Sequence, residues 1–518
     1  MMPLVAPSTL ILAALVIPPI GACLIALAGR WPNLRESVTL ATAFILFLAV
    51  VALLPLVMAG ETPEALSFAI APGLTLAFKV EPLGMLFGLV ASGLWIVNSI
   101  YSIGYMRANH EPRQTQFYVC FAIAIASAVA IAFAKNLFTL FLFYELLTLS
   151  TYPLVTHKGD AAARRGGRIY LLVLLGTSTL LLLPAIIATY AIAGTLDFTP
   201  GGILAGKIYG PVIAGLLALY VFGVGKAAVM PVHSWLPNAM IAPTPVSALL
   251  HAVAVVKAGV FTILKISIYI FGADFLAGSG EADPLIYVSA GTVILASLIA
   301  MTKDNLKARL AYSTISQLSY IVLGALVATR WSLLGGGMHI AMHAVGKITL
   351  FFCAGAIYTA AHRTLVSELP GLGRQMPFTF LAFTIGALSI IGLPPMGGLW
   401  SKWLLARGAL DGGQLAIVAV FMVSSLLNIS YLLSIPFKAF FGRPLEQKAH
   451  SLGAAAVTTT TQATAALSAG IRAEASGCGI REAPLPCLIA IAITSLLCIA
   501  LFFFPDPLLA LLQQINFK

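Results

Sequence analysis

Apolar runs of roughly 20 residues, the length that crosses about 30 Å of hydrocarbon, recur from one end of this sequence to the other. Nothing constrains the fold more. Backbone in lipid must satisfy its own hydrogen bonds, and long continuous apolar runs do so as helices. With 60% of 518 residues hydrophobic and 9% charged, the chain is expected to be an all-α membrane protein with about fourteen transmembrane helices. Five divisions are expected: helices 1–3 with a small hairpin (1–110), a five-helix unit (111–272), a second five-helix unit (273–442), a polar loop (443–484) and a last helix (485–518).

The formal net charge of +11 is not a nucleic-acid signature, because the basic residues alternate. Connections after spans 1, 3, 5, 9, 11 and 13 hold 17 Lys and Arg, and the other connections and termini hold 6. This is the positive-inside bias, and it predicts a multi-pass protein of the cell inner (plasma) membrane with both termini on the non-cytoplasmic side. The start, MMPLVAPS, has no basic residue ahead of the first apolar run, so that run is expected to remain as a helix.

Between spans 2 and 3, ETPEALSFAIAPGLTLAFKVEP carries two β-prone runs parted by Pro72 and Gly73, which reads as a hairpin. The stretch from Pro444 to Leu485 is rich in Ala, Thr, Ser and Gly and reads as a mobile cytoplasmic loop. The six cysteines show no iron–sulfur spacing and read as apolar packing residues. There is no dinucleotide fingerprint, phosphate loop or HExxH motif. No cofactor and no metal site are expected.

A five-helix unit repeated in tandem must enter the membrane the second time upside down, so the two units are expected to be inverted repeats. Their fourth helices share a feature. One, near 210–237, contains GVGKAAVMPVHSWLP; the other, near 375–410, contains SIIGLPPMGGLWSKW. Proline removes a backbone donor and clashes with the carbonyl four residues back, so each helix is expected to break. Paired broken helices are the sequence pointer to a transport site.

Charge inside the apolar spans is the second pointer. Glu145 is the one acid that falls within a span, in LFTLFLFYELLTLSTYPLV, and it needs a cationic partner, for which Lys226 is the candidate. Lys257 and His251 stand on the eighth span, six residues apart. His339, His343 and Lys347 follow at i, i+4 and i+8 along one helix, about 12 Å in all. Lys402 ends the series. Lys265 and Lys438 read as snorkelling side chains. Glu145, Lys226, His251, Lys257, His339, His343, Lys347 and Lys402 together read as a string of proton carriers along a hydrated axis, fed by two half-channels.

At FYELLTLSTY, VGKAAVMPVHSWLPNAMIAPTPVSALLHAVAVVKAG, NLKARLAYSTISQLSYI, MHIAMHAVGKITLFF and GLPPMGGLWSKW the chain resembles the proton-translocating antiporter-like subunits of respiratory complex I, membrane-bound hydrogenases and Mrp-type sodium/proton antiporters. The resemblance covers about residues 80–440 and looks most like the Mrp D subunit. It implies roles for Glu145, Lys226, Lys257 and Lys402 as the charge pair, the relay and the second gate. It also implies other membrane subunits as partners, in a cation/proton antiporter moving protons against sodium or potassium. The alternative is a redox-driven complex, an NADH:quinone oxidoreductase or a hydrogenase; the third option is the energising subunit of an inorganic-carbon uptake complex.

Overall fold

A computed structural model describes residues 6–71, 73–443 and 479–517. Most of the polar loop expected at 443–484 lies outside the described residues. The helices are α1 (Pro7–Leu27), α2 (Pro32–Met58), α3 (Pro82–Ala108), α4 (Gln114–Ala132) and α5 (Leu137–Val155). Then come α6 (Ala161–Ala193), α7 (Pro211–Gly223), α8 (Thr244–Ser279), α9 (Asp283–Thr302), α10 (Leu306–Val327) and α11 (Arg330–Ala361). The chain ends with α12 (Pro377–Ile391), α13 (Gly398–Asp411), α14 (Leu415–Phe441), α15 (Leu485–Phe503) and α16 (Asp506–Gln513). Among the described residues, 12 helices are long and apolar enough to cross a membrane, and α7 and α12 are shorter apolar helices. Those two are the leading halves of the segments expected to break. The protein is a multi-pass membrane protein.

Local sequence sets where helices begin. Proline, whose missing N–H costs nothing in the first turn, opens α1, α2, α3, α7 and α12. Asn136, Asp160, Asn305 and Thr329 cap α5, α6, α10 and α11 by accepting from a backbone N–H three residues on. Glu482 does the same for α12 from far along the chain, accepting from Phe378 N at 2.8 Å and placing a carboxylate at the positive helix end.

The expected hairpin forms from β1 (Glu64–Ala71) and β2 (Leu74–Lys79), antiparallel, with Glu64 opposite Lys79. Gly73 turns it with φ +78°, and a Cβ there would lie 1.9 Å from the Tyr190 hydroxyl, so only glycine fits. Bridges Phe78–Ala134 and Asn136–Asp197 tie the hairpin end to the connections before α5 and after α6.

Burial sorts the helices into an inside and an outside. The apolar windows of α8 and α11 are 100% buried and that of α10 is 94% buried, whereas α1, α6, α14 and α15 bury a third. The chain's own helices, not lipid, surround α8, α10 and α11. Here sit His251, Lys257, His339, His343 and Lys347, all at most 1% exposed. Of the cysteines, Cys353, Cys487 and Cys498 are buried as expected, Cys120 is partly buried, Cys23 is exposed, and Cys478 lies outside the described residues.

Candidate functional site

Both expected breaks are present. Span 7 is not one helix to 237: α7 stops at Gly223, a tight turn holds Gly225–Ala227, and Ala228 takes φ +55°. The indole of Trp235 donates to the carbonyl of Gly225 at 2.9 Å. The turn abuts α8, where a Cβ on Gly259 would lie 2.4 Å from the nitrogen of Ala227. In span 12, α12 ends at Ile391, Gly392 has φ +87°, and α13 starts at Gly398. Lys402 of α13 reaches back to donate to the carbonyl of Ile391 at 3.0 Å. At each break, therefore, a carbonyl receives a side-chain donor: that of Gly225 in addition to the Ala228 N–H at 3.0 Å, that of Ile391 from Lys402.

Lys226 is fully buried. Its ammonium donates to the Tyr144 carbonyl at 2.8 Å and to Thr148 Oγ1 at 2.6 Å on α5. The expected direct ion pair with Glu145 does not form: both Glu145 carboxylate oxygens are buried without a hydrogen-bond partner. The ammonium has taken the neighbouring carbonyl and hydroxyl instead.

On α8 a π turn over Leu249–Val253 sets the His251 ring against Phe351 with centroids 4.7 Å apart, and both ring nitrogens are buried without partners. Lys257 Nζ meets His343 Nδ1 of α11 at 2.6 Å. The His343 and His339 rings follow at 5.6 Å, and His339 Nδ1 meets Ser401 Oγ of α13 at 2.8 Å. Each of these two histidines keeps Nε2 unengaged. The spacing of six between His251 and Lys257 brings them no contact, as expected.

Lys347 departs from the single row expected. It turns to α10, donating to Ser313 Oγ at 2.7 Å and to the Leu310 carbonyl at 3.3 Å. Half-buried Lys402 donates to Ser425 Oγ at 3.3 Å and lies 4.9 Å from the centre of the Tyr320 ring, which stacks on His339 at 5.8 Å. An apolar groove of about 830 Å³ opens beside Lys402, between α12, α13 and α14.

Lys265 corrects the sequence reading. It does not snorkel; at 1% exposure it pairs with Glu81 at 2.8 Å and donates to the Ala134 carbonyl at 2.9 Å. Glu81 sits just before α3, in a connection by sequence, and only the tertiary fold turns it inward. Lys438 is exposed, in keeping with snorkelling. The hydroxyl partners Thr148, Ser313, Ser401 and Ser425 were not singled out from sequence. For one helix a signal existed: Ser313, Ser316, Gln317 and Tyr320 fall at i, i+3, i+4 and i+7, a polar stripe on a helix with little lipid contact.

Residues 134–428 match the family described as NADH:quinone oxidoreductase/Mrp antiporter, TM. The chain is 32% identical over 408 residues to NADH-quinone oxidoreductase subunit N of Desulforudis audaxviator, covering 77% of this chain and 80% of that one. It is 32% identical over 347 residues to NAD(P)H-quinone oxidoreductase chain 5 of Synechocystis sp., 64% of this chain and 49% of that one. It thus spans about half the length of the chain 5 relatives. A chain of the Mrp complex from Dietzia sp. superposes with a TM-score of 0.82 at 25% identity, over 98% of this chain and 96% of that one. The matched segment contains every residue of the string from Glu145 to Lys402 and exceeds half of the sequence; this chain belongs to the NADH:quinone oxidoreductase/Mrp antiporter transmembrane family.

Proposed function

We propose that this chain is the proton-translocating membrane subunit of a multi-subunit monovalent cation/proton antiporter, working beside other membrane subunits in the cell membrane with both termini outside the cytoplasm. One observation carries it. Lys226, Lys257, Lys347 and Lys402 find only uncharged hydrogen-bond partners, and among the described residues none of them forms an ion pair. Burial disfavours the charged form of a lysine, so one without an ionised hydrogen-bond partner gives up its proton more readily than one pinned in an ion pair. Glu145 governs when Lys226 holds its proton; His251 and Lys257 take it up; His343 and His339 pass it toward Lys402. Residues 111–272 and 273–442 are the two inverted units, and each break admits water from one face.

The decisive experiment is Glu145→Ala and Lys226→Ala in membrane vesicles carrying the whole complex. Loss of pH-gradient activity with assembly intact is expected; normal activity in either would refute the proton pathway. A second reading, the same pathway within a redox-driven complex, is favoured by the similarity to subunit N of an NADH-quinone oxidoreductase. Subunits co-purifying with the chain decide between them: small antiporter subunits for the first, iron–sulfur and flavin subunits for the second.

A further inference from the structure

Lys347 points away from the histidines, and what it meets is a chain of hydroxyls. Ser313 Oγ receives both the Lys347 ammonium at 2.7 Å and the Tyr431 hydroxyl of α14 at 3.0 Å. Tyr431 also lies against Ser297 of α9. Ser297 Oγ meets Ser316 Oγ of α10 at 2.9 Å, and each of these lies 3.5 Å from Ser424 Oγ of α14. Ser424 and Ser425 face the Tyr320 hydroxyl, and Ser425 receives the Lys402 ammonium at 3.3 Å. Ser297, Ser313, Ser316, Tyr320 and Ser424 are fully buried.

Three helices build this ladder, and none of it belongs to the α11 histidine row. Along α10 it runs from Ser313 to Tyr320, about 10 Å at 1.5 Å per residue. The π turn at Ile429–Leu433 turns Tyr431 into line from α14. Beside it, the Asn428 amide nitrogen and both polar atoms of the Gln317 side chain are buried without a hydrogen-bond partner, so polar capacity is in excess of what packing uses. Here Ser297 and Ser316 share one carbonyl, that of Val293, at 2.8 and 3.1 Å while also facing each other. Each hydroxyl can therefore turn from carbonyl to neighbour and back.

We infer that the Ser313, Tyr431, Ser297, Ser316, Ser424, Tyr320 and Ser425 hydroxyls form a second proton route joining Lys347 to Lys402, parallel to the histidine row. The inference rests on the proton-translocating reading. Once the Tyr431 hydroxyl, which donates to Ser313 and Asn428, has turned its hydrogen toward Ser297, the Lys347 ammonium gives a proton to Ser313 as that hydroxyl passes its own to Tyr431; each oxygen accepts one proton and releases one, and the last goes to a neutral Lys402 amine. No hydroxyl keeps a charge.

The test uses the whole complex in vesicles, with Ser316→Ala/Ser424→Ala, Tyr431→Phe and Lys226→Ala measured side by side. Both hydroxyl variants are expected to cut proton translocation about twofold, the histidine row carrying the rest, with assembly and melting temperature kept, and Ser316→Thr to restore it where Ser316→Ala alone has slowed it. A purely structural role would move the melting temperature and leave the rate per assembled complex unchanged, which overturns the inference. If the double variant does not assemble, Tyr431→Phe decides alone, since it removes one oxygen and keeps the ring. Wild-type rates in the hydroxyl variants with a silent Lys226→Ala overturn the second route only; a fully active Lys226→Ala refutes the pathway as a whole.

Discussion

Lys257 and His343, on helices α8 and α11, share a single hydrogen bond of 2.6 Å between Nζ and Nδ1 in the buried centre of the protein. Two nitrogens this close cannot both point a hydrogen at each other. Either the ammonium donates to a bare Nδ1 or a neutral amine accepts from Nδ1–H, so the contact holds one proton between two owners. His343→Gln leaves Lys257 with a weaker acceptor and removes the ring that faces His339. Proton translocation in vesicles is expected to fall about twofold without vanishing, far less than the roughly 10²–10⁴-fold usual for a lost acid–base group, because the hydroxyl route from Lys347 to Lys402 stays open. A rate equal to wild type would remove His343 from the relay.

Gly259 and the Lys226 turn make a second testable pair. A Cβ at Gly259 would intrude to 2.4 Å from the Ala227 nitrogen and 2.9 Å from Lys226 Cβ, and both belong to a turn held by hydrogen bonds to Tyr144. Backbone cannot yield there as a flexible side chain would. Gly259→Ala is expected to cost about 1–3 kcal/mol in stability, the usual range for overpacking, and to lower proton translocation by displacing Lys226. Gly291 of α9 has nothing within 4 Å of its added Cβ, so Gly291→Ala is expected to be neutral or slightly stabilising. Melting curves of the solubilised complex compare the two, and equal behaviour would contradict the close approach.

The Lys265–Glu81 pair ties α8, the helix of Lys257, to the connection between hairpin and α3. At 1% and 7% side-chain exposure, neither charge is bathed by solvent. Glu81→Gln would leave the ammonium with the Ala134 carbonyl and the face of Phe198, 3.9 Å away. Breaking one side of such a pair costs about 3–5 kcal/mol. Replacing both, in Glu81→Gln/Lys265→Met, is expected to recover much of that loss. Unaltered melting of Glu81→Gln would show the pair to be idle.

Sequence carried the helices, the two breaks and the identity of the charged residues, because hydropathy, proline and intramembrane charge act over one or two turns of chain. Partners were harder to read. Lys226 was expected on Glu145 and sits on Tyr144 and Thr148; Lys265 was expected to snorkel and is paired with a residue 184 positions earlier. In both cases the deciding contact comes from another helix, and hydroxyls and carbonyls are too common in a sequence to stand out. The turning of Lys347 away from the histidines has the same origin, since its spacing of eight from His339 says nothing of what α10 offers on the other side. Ser313, Ser316, Gln317 and Tyr320 are the exception, for their spacing alone marks a polar face.

The connection after α5 offers a pH test outside the membrane spans. His157 is 2% exposed in its side chain, with Nε2 3.7 Å from Glu111 Oε2, and the nearby Arg113 guanidinium donates to the His157 carbonyl. Burial, with Arg113 adding to it, pushes the imidazole down to about 4, while burial raises the Glu111 carboxyl above its ordinary range. At neutral pH the imidazole is therefore uncharged, and its contact with Glu111 is not an ion pair. An unfolded histidine binds its proton below about 6.5, whereas folded His157 waits until about 4. At His157 the unfolded state holds more protons between those values, so this residue's contribution to stability falls as pH drops, against the opposite and separate effect of the raised Glu111 carboxyl. Melting temperature of the solubilised complex is expected to decline from pH 7 to pH 4.5, and His157→Asn, which cannot titrate, to flatten that decline. A variant whose melting profile keeps the full slope would place the sensitivity elsewhere.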